Sequence, residues 1–316
     1  MDKDIKIGIL GLTEGNGHPY SWSAMFNGYN KRYMDECPFP VIPSYLYSQP
    51  PHTFGIEGAK VTHICCSGGG RRAEAEHIAK ASNIENVLDA PEQMLGKVDA
   101  VICATDIGSE HVERCRPFLQ ADIPMLIDKP LTDNIEDLKT FIEWRAAGKR
   151  FISCSSMRFQ KELEPFYKNH YELGELMYIC QPMPKKFETY GIHALEAVFP
   201  LLGCGFEYIQ HTGTYQKPVL HIKHKGGCDI NIAQGIGLSG AGMLLVGSKS
   251  SRYITGGDSY YSFKKMLDLF VNWLKTGEEP FSFNQTLELM RLVIGGIKSL
   301  KEDGRRVYLS EILPQY

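Results

Sequence analysis

Four glycines follow a run of branched aliphatic residues near the start of the chain, in the stretch IGILGLTEGNGHPYSW at 7–22. Glycines behind a buried strand let the backbone approach a phosphate, and the helix that follows offers unpaired N–H groups and a partial positive charge. The spacing does not give a strict G-x-G-x-x-G, and such loops also serve as plain turns, so the pattern alone is weak. Its position after a first strand favours a dinucleotide site. The residues that we expect to contact the cofactor here are Gly8, Gly11, Leu12 and Thr13.

The end of the second predicted strand indicates which dinucleotide would bind. An NAD site usually has an acidic residue there for the ribose 2′-hydroxyl, whereas an arginine accommodates the 2′-phosphate of NADP. The chain reads ICCSGGGRRAE, with Ser67 in the acidic position, followed by Arg71 and Arg72. Cations in the first turn of a helix oppose its dipole unless an anion lies beside them, although a basic surface helix is the alternative. These residues predict that NADP(H) is preferred, with NAD(H) also possible.

Residues 1–156 alternate between strand and helix patterns. The predicted strands are short and apolar, as in parallel sheets covered on both faces, and they span 5–10, 60–66, 99–105, 123–128 and 150–156. The predicted helices span 71–82, 109–120 and 133–148, the last with Asp133 and Glu136 at capping-box spacing. Repeated β-α-β units predict an α/β fold, here a Rossmann-type doubly wound parallel sheet with right-handed crossovers.

Residues 157–316 show a different pattern and predict a second domain that combines helices with an antiparallel sheet. Two helical patterns, 158–174 and 190–203, precede five alternating strands, which indicates an open, mainly antiparallel sheet with at least one polar face. The predicted strands span 207–216, 217–226, 228–235, 242–248 and 251–257. Two amphipathic helices end the chain, and their apolar stripes are typical of a protein core.

The segment 33–59 interrupts the first half. Its five prolines and many aromatic residues argue against a helix, and so long a loop is unusual inside a compact domain. It joins a helix to the next strand, so topology predicts that it lies at the N-terminal edge of the sheet, away from the cofactor. We expect an oligomer contact or a wrap over the sheet rather than a catalytic lid.

Composition narrows the class of protein. The 316 residues suffice for two domains, and a net charge of −3 gives no indication of a nucleic-acid-binding surface or a polybasic membrane patch. No apolar run reaches the roughly 20 residues of a membrane span, and no signal-peptide pattern begins the chain. Nine cysteines without a CxxC pair indicate reduced thiols in a cytoplasm. His221 and His224 fall on opposite sides of a solvated strand, so no metal site is predicted.

Three stretches together resemble one family. IDKPLTDNIEDLK at 127–139 is similar to the EKP segment of the glucose–fructose oxidoreductase, inositol dehydrogenase and MocA-like (Gfo/Idh/MocA) dehydrogenases. GIHALEAVFPLLG at 191–203 resembles their second-domain G-x-H-x-x-D helix, and the C-terminal pattern from FVNWLK onward is also similar. The resemblance implies a dinucleotide-binding Rossmann domain at 1–156 and an α+β domain for substrate binding and oligomerisation at 157–316. It also implies nicotinamide-dependent hydride transfer on a sugar, polyol or nucleotide-linked sugar, in subunits joined through the second-domain sheet as a homodimer or homotetramer.

The resemblance also implies site residues. Lys129 corresponds to the motif lysine and His193 to the helix histidine, which we expect to face each other across a cleft. Imidazole suits transfer of a hydroxyl proton near neutral pH, and an ammonium stabilises the developing alkoxide. The family commonly has aspartate four residues before the histidine, where this chain has Thr189. Glu188 or Tyr190 could substitute, and Tyr190 can donate a proton to a carbonyl oxygen in the reductive direction.

The remaining expected contacts follow the same motifs. Ala104, Thr105 and Asp106 occupy the family's T-P-N region and, with Asp128 and Lys129, are expected to bind the cofactor. The expected substrate contacts are Lys129, Arg158, Lys186, Thr189 and His193. Arg158 is equally consistent with a surface charge. We expect Trp22 in the core, leave His18 open between core and nicotinamide, and place His77 and His111 on helix surfaces.

Three functions fit these observations. The first is an NAD(P)-dependent dehydrogenase or reductase acting on the CH–OH group of a carbohydrate-like small molecule. The second is a catalytically inert, dinucleotide-binding sensor or scaffold, which the absence of the aspartate favours. The third is a reductase of a cyclic imine.

Overall fold

Two units, each assembled from three separate segments of chain, make up the computed structural model, which describes residues 4–66, 71–167, 170–214, 216–238 and 242–313. The first unit contains Met1–Lys129, Thr140–Ser153 and Phe263–Pro280. The second contains Pro130–Lys139, Cys154–Ser262 and Phe281–Tyr316. Neither unit is one continuous stretch of sequence.

A six-stranded parallel sheet forms the centre of the first unit. Its strands are β1 (Ile5–Gly11), β2 (Ala59–Cys66), β3 (Asn86–Val87), β4 (Ala100–Cys103), β5 (Met125–Ile127) and β6 (Phe151–Ser153). They run in the order β3-β2-β1-β4-β5-β6, and β1 pairs in parallel with both β2 and β4. This is the Rossmann strand order, so the predicted fold class is confirmed. The two-residue β3 is too short to leave a pattern in the sequence.

Six helices accompany this part of the chain. They are α1 (His18–Asn27), α2 (Lys31–Met34), α3 (Val41–Tyr47), α4 (Arg72–Ala81), α5 (His111–Gln120) and α6 (Ile135–Ala146). The prediction that 33–59 has no helix is wrong, because α3 and a 3-10 helix at Pro51–Thr53 lie within it. Pro43 falls in the first turn of α3, where a backbone N–H is not needed for helical hydrogen bonds. The cap of α6 is Asn134 rather than Asp133: its side chain accepts from the Asp137 N–H and donates to the Asp137 carboxylate.

The second unit holds an eight-stranded, mainly antiparallel sheet. Its strands are β7 (Leu176–Cys180), β8 (Met183–Pro184), β9 (Phe206–His211), β10 (Val219–His224), β11 (Asp229–Gly235), β12 (Met243–Gly247), β13 (Ser251–Ile254) and β14 (Val307–Tyr308). The order is β13-β12-β7-β11-β10-β9-β14, with β8 paired to β11. β7 and β8 both run parallel to β11, and the sequence patterns revealed neither of them.

The remaining helices are α7 (Glu164–Tyr167), α8 (Phe187–Leu202), α9 (Ser259–Thr276) and α10 (Phe283–Lys301). The helix predicted over 158–174 is wrong in most of its length: the described part contains a 3-10 helix at Ser156–Phe159 and the single turn of α7. Pro165 has no N–H to bond the carbonyl four residues earlier, and it lies in the first turn of α7, where that N–H is not needed. α8 begins three residues before its predicted start.

Apolar side chains of the C-terminal helices are core residues, as their spacing predicts. Met266, Leu267 and Phe270 of α9 and Met290 of α10 are each at most 2% exposed. On β10, His224 is buried rather than solvated. No helix among the described residues is long and apolar enough to cross a membrane.

Candidate active site

Lys129 is the second residue after β5 and lies between two aspartates of the first unit. Its ammonium nitrogen Nζ is 3.5 Å from Asp106 Oδ2, and its backbone N–H donates to Asp128 Oδ1 at 2.8 Å. The hydroxyl of Thr13 donates to the other oxygen of Asp106 at 2.6 Å. Lys129 is only 2% exposed. The loop after β1 and the ends of β4 and β5 therefore meet around one buried ammonium group.

Asp128 is the centre of a second set of contacts. Its Oδ2 lies 2.7 Å from His18 Nδ1 and accepts a hydrogen bond from Asn16 Nδ2 at 3.2 Å. The His18 ring stacks on Trp22, with ring centroids 4.3 Å apart. Burial alone would raise the pKa of Asp128, but the charges of His18 and Lys129 and the hydrogen bonds lower it to about 2. The carboxylate is thus ionised although it is 1% exposed.

These residues lie at the carboxyl ends of β1, β4 and β5. The strand order reverses between β1 and β4, and ligands of doubly wound sheets bind outside the carboxyl ends of the strands at such a point. Ala104 and Thr105, which follow β4, are fully buried, and the Thr105 carbonyl oxygen is 2.7 Å from His111 Nε2. The prediction that His111 lies on a helix surface is therefore wrong.

The glycines near the end of β1 mainly allow neighbouring side chains to pack closely, rather than forming an open phosphate-binding loop. A Cβ on Gly11 would lie 2.8 Å from Pro19 Cγ, and one on Gly8 would lie 2.6 Å from Met94 Sδ. Gly15 differs, because it has a φ of +79° and nothing within 4 Å of an added Cβ. Of these four, Gly15 is the position where an incoming ligand can approach the backbone freely.

The first turn of α1 does not offer the unpaired N–H groups that the sequence predicts. The His18 N–H donates to the side-chain oxygen of Asn16 at 2.8 Å, and Pro19 has no N–H. The Tyr20 N–H donates to the Gly17 carbonyl oxygen at 3.0 Å. A bound anion would have to use the loop before α1 instead.

The two arginines after β2 differ in their contacts. Arg72 forms ion pairs with Glu76 and Asp89, so its guanidinium is already engaged. Arg71, at the N-cap position of α4, is half-buried. Ser67 lies outside the described residues.

His193 of α8 contacts Ser155 and Tyr190 in the second unit. Its Nδ1 is 2.6 Å from the hydroxyl of Ser155, which follows β6 by two residues. The Tyr190 ring meets the imidazole edge-on at 4.6 Å, and the Tyr190 hydroxyl accepts a hydrogen bond from Lys185 Nζ at 2.7 Å. Thr189, in the position of the family aspartate, is exposed, as is Lys186. The imidazole thus contacts a serine hydroxyl, and the residue in the position of the family aspartate is an exposed threonine.

A buried ion pair between Arg158 and Glu196 contacts the backbone of Ser155. Arg158 Nε donates to Glu196 Oε2 at 2.6 Å, and Glu196 Oε1 accepts from the Ser155 N–H at 3.1 Å. Arg158 also donates to Gln285 Oε1 at 2.7 Å and lies over the Phe281 ring. Burial raises the pKa of Glu196, and Arg158 partly opposes that shift. Arg158 is 6% exposed, so the surface-charge alternative is wrong.

A small polar cavity of about 100 Å³ adjoins this cluster in the second unit. Hydroxyl, amide and carboxylate groups line it, together with methionine and isoleucine side chains. The polar lining residues include Ser156, Gln160, Gln181, Asp258, Ser259 and Ser262. Within the described ranges, no group of three His, Cys, Asp or Glu side chains could hold a metal ion.

Sequence reasoning missed the roles of Asn16 and Ser155 and left His18 undecided. Asn16 and His18 lie 112 and 110 positions from Asp128, so only the folded sheet brings them together. The position of these residues in the sequence could have indicated a role, because polar residues that follow the strands of a parallel sheet lie near its carboxyl edge, where ligands bind.

Comparisons with known proteins agree with this architecture. Residues 47–155 match the profile of an oxidoreductase family with an NAD-binding Rossmann fold, Gfo/Idh/MocA. A probable dehydrogenase from Thermotoga maritima superposes with a TM-score of 0.73 at 17% identity, covering 98% of this chain and 100% of the other. A scyllo-inositol dehydrogenase from Lactobacillus casei with bound NAD(H) and scyllo-inositol gives 0.71 at 14% identity, with coverage of 98% and 100%.

A myo-inositol 2-dehydrogenase from Lactobacillus plantarum gives 0.74 at 13% identity, with coverage of 97% and 99%. At these identities the likeness concerns the fold alone. The search of curated protein sequences gives no match.

Proposed function

We propose that the chain belongs to the Gfo/Idh/MocA oxidoreductase family, whose profile residues 47–155 match, and that it transfers hydride between a nicotinamide dinucleotide and the CH–OH group of a sugar, polyol or nucleotide-sugar. The observation that carries this proposal is the buried Lys129, held between Asp106 and Asp128 at the strand-order reversal. An ammonium fixed at that edge can stabilise the negative charge that develops on a substrate oxygen.

The carboxyl edge of the first unit fits a dinucleotide. Its polar groups can bind ribose hydroxyls, and the open backbone at Gly15 allows a phosphate to approach. When bound, the nicotinamide would supply the hydride-accepting or hydride-donating carbon. We further propose that NADP(H) is preferred and that Arg71 carries the preference, since the guanidinium of Arg72 is engaged by two carboxylates.

In the second unit, His193 and Tyr190 are the proposed proton-transfer groups. The Ser155 hydroxyl and the Tyr190 ring hold the imidazole, and Lys185 donates to the Tyr190 hydroxyl. Lys186 and Thr189 are exposed on the first turn of the same helix and remain proposed substrate contacts. Arg158, buried against Glu196, acts in this proposal by holding Ser155 rather than by meeting the substrate.

A polyhydroxylated substrate suits the chemistry of the cavity beside Ser156. Hydroxyl, amide and carboxylate groups pair with the alternating donors and acceptors of sugar hydroxyls. Two of the structural relatives are named as inositol dehydrogenases. Both observations support a polyol or sugar over an apolar alcohol.

We also propose an oligomeric state and a cellular compartment for the protein. Large apolar side chains are exposed on the second-unit sheet, among them Met177, Tyr253 and Tyr308, which supports a homodimer or homotetramer through that sheet. Nine free cysteines support a reducing cytoplasm. Light scattering of the purified protein tests the assembly, and a monomer at micromolar concentration would contradict it.

The test of the function combines binding and turnover. We expect NADPH to bind more tightly than NADH by fluorescence titration, and Arg71→Ala to remove most of that difference while Arg116→Ala, a surface control, leaves it unchanged. Oxidation of a panel of inositols, hexoses and nucleotide-sugars is then followed at 340 nm. We expect Lys129→Ala to reduce turnover far more than dinucleotide affinity.

A second candidate is a dinucleotide-binding sensor or scaffold without turnover. The exposed Thr189, in place of the family aspartate, favours it. NADPH binding without oxidation or reduction of any compound in the panel would support the sensor over the dehydrogenase. Equal affinities for NADPH and NADH before mutation would contradict the role of Arg71.

A further inference from the structure

The pair formed by His18 and Asp128 has the arrangement of a supported catalytic base. His18 Nδ1 lies 2.7 Å from Asp128 Oδ2, and the carboxylate is fixed by Asn16 and by the Lys129 N–H. Trp22 stacks on one face of the imidazole at 4.3 Å, and Phe263 meets it edge-on at 5.3 Å. Both the hydrogen-bonding edge and the plane of the ring are therefore fixed.

These contacts determine which nitrogen carries the proton. An ionised carboxylate can only accept hydrogen bonds, so Nδ1 of His18 must donate to Asp128. In neutral imidazole, the lone pair is then on Nε2. Among the residues that the structure describes, Nε2 has no hydrogen-bond partner, and the side chain of His18 is 19% exposed. The basic nitrogen is free to meet a ligand.

The position of His18 and Asp128 in the fold also supports a catalytic role. His18 begins α1 directly after the loop from β1, and Asp128 follows β5, so the imidazole lies at the edge where doubly wound sheets bind ligands. His193 contacts a neutral serine hydroxyl, whereas His18 contacts a buried carboxylate. A carboxylate stabilises the imidazolium that forms when a base accepts a proton, which a serine does to a smaller extent. An imidazole supported by a buried carboxylate is therefore present at His18.

We propose that His18, supported by Asp128, is the catalytic base that accepts the alcohol proton in place of His193. This assignment rests on the proposed function. In the oxidative direction, the O–H bond of the alcohol breaks and its proton passes to His18 Nε2. As the C=O bond forms, the same carbon would lose its hydrogen as hydride, and a bound oxidised nicotinamide dinucleotide would supply the acceptor for that hydride. Lys129 stabilises the oxygen while its charge develops.

The first test is chemical modification of His18 with diethyl pyrocarbonate, which acylates an unprotonated imidazole nitrogen. Trypsin releases residues 7–31 as one peptide with His18 as its single histidine, and 33–60 as another with His52 as its single histidine. We expect His18 to react in the free protein and saturating NADP⁺ to slow that reaction at least tenfold. The exposed His52 should react at the same rate with and without NADP⁺.

The second test compares His18→Gln and Asp128→Asn with His52→Gln as the matched control. We expect each of the first two to lower kcat/KM for the best polyol by about 10²- to 10⁴-fold, with NADPH affinity changed less than threefold. The acidic limb of the pH–rate profile should disappear in His18→Gln. Nitrogen-15 NMR of the ring should show Nδ1 protonated in the wild type and Nε2 protonated in Asp128→Asn, because an asparagine amide can donate to Nδ1.

The outcomes separate this assignment from the proposed function. NADP⁺ binding without protection of His18, or His18→Gln with an unchanged pH–rate profile, would overturn the assignment and leave the dehydrogenase proposal standing. Failure to bind any nicotinamide dinucleotide, or binding without turnover, would overturn the proposed function and this assignment with it. A residue that only braced the loop would show neither protection nor a changed profile.

Discussion

The buried ion pair between Arg158 and Glu196 makes a stability prediction that the structure defines closely. Arg158 and Glu196 side chains are 7% and 2% exposed, and the carboxylate accepts hydrogen bonds from Arg158 Nε and from the Ser155 N–H. Glu196→Gln keeps the volume and removes the charge, so the guanidinium stays buried without its counter-ion. Breaking one partner of a buried pair in this way costs about 3–5 kcal/mol.

The assay should measure the local stability of the second unit. Native-state hydrogen exchange of the α8 amides gives the free energy of opening, which we expect to fall by that amount in Glu196→Gln. The control is Glu302→Gln, which removes the charge from a pair with Arg305 whose two side chains are both 43% exposed. Exposed pairs contribute less than about 1 kcal/mol, so the control should hardly change.

A double variant tests the cause. Arg158→Met combined with Glu196→Leu removes both charges and fills the space with apolar groups. Such replacements of buried pairs are often neutral or stabilising, so most of the lost stability should return. A loss below about 1 kcal/mol in Glu196→Gln, or no recovery in the double variant, would refute the reasoning that an unpaired buried guanidinium is the source of the cost.

Three further predictions concern the first unit and its core. The pKa of Asp128 is lowered to about 2, so its ionised carboxylate stabilises the fold above about pH 4. About 2 kcal/mol of this stability is lost as the pH falls towards 2. The urea unfolding midpoints of the wild type and of Asp128→Asn, measured as a function of pH, should therefore converge near pH 2. Gly17→Ala places a Cβ 2.4 Å from Ile42 Cδ1 and should cost about 1–3 kcal/mol in urea unfolding, whereas Gly257→Ala, in open space, should not. Phe270→Ala, at a fully buried position, should cost about 3–5 kcal/mol in the same assay.

The sheet of the first unit was predictable because its strands are buried on both faces. Such strands are nearly continuous apolar runs, and each of the five predicted runs contains an observed strand. The segment 33–59 was predicted wrongly because a proline disfavours a helix only beyond its first turn. Pro43 lies in the first turn of α3, where proline is tolerated. β7 was missed because its burial alternates imperfectly, and its parallel partner β11 lies some 50 positions further along the chain.

The candidate site was predictable only as far as local motifs reach. Lys129, Asp106 and Asp128 follow predicted strands, so their place at the carboxyl edge could be read from the sequence. Their contacts could not, because Thr13 lies 93 positions from Asp106 and a side-chain hydrogen bond over that separation leaves no periodic signal. The same holds for Ser155 and His193, which are 38 positions apart.

The return of residues 263–280 to the first unit affects how the chain can mature. Trp273 and Phe270 from this segment are at most 1% exposed, and the Arg150 guanidinium lies 5.0 Å from the Trp273 ring centroid. A ribosome must therefore synthesise the chain through residue 280 before the first unit can complete its interior. Until then the nascent sheet would expose apolar surface, which makes early release, or truncation near residue 156, a route to aggregation rather than to an independent half-protein.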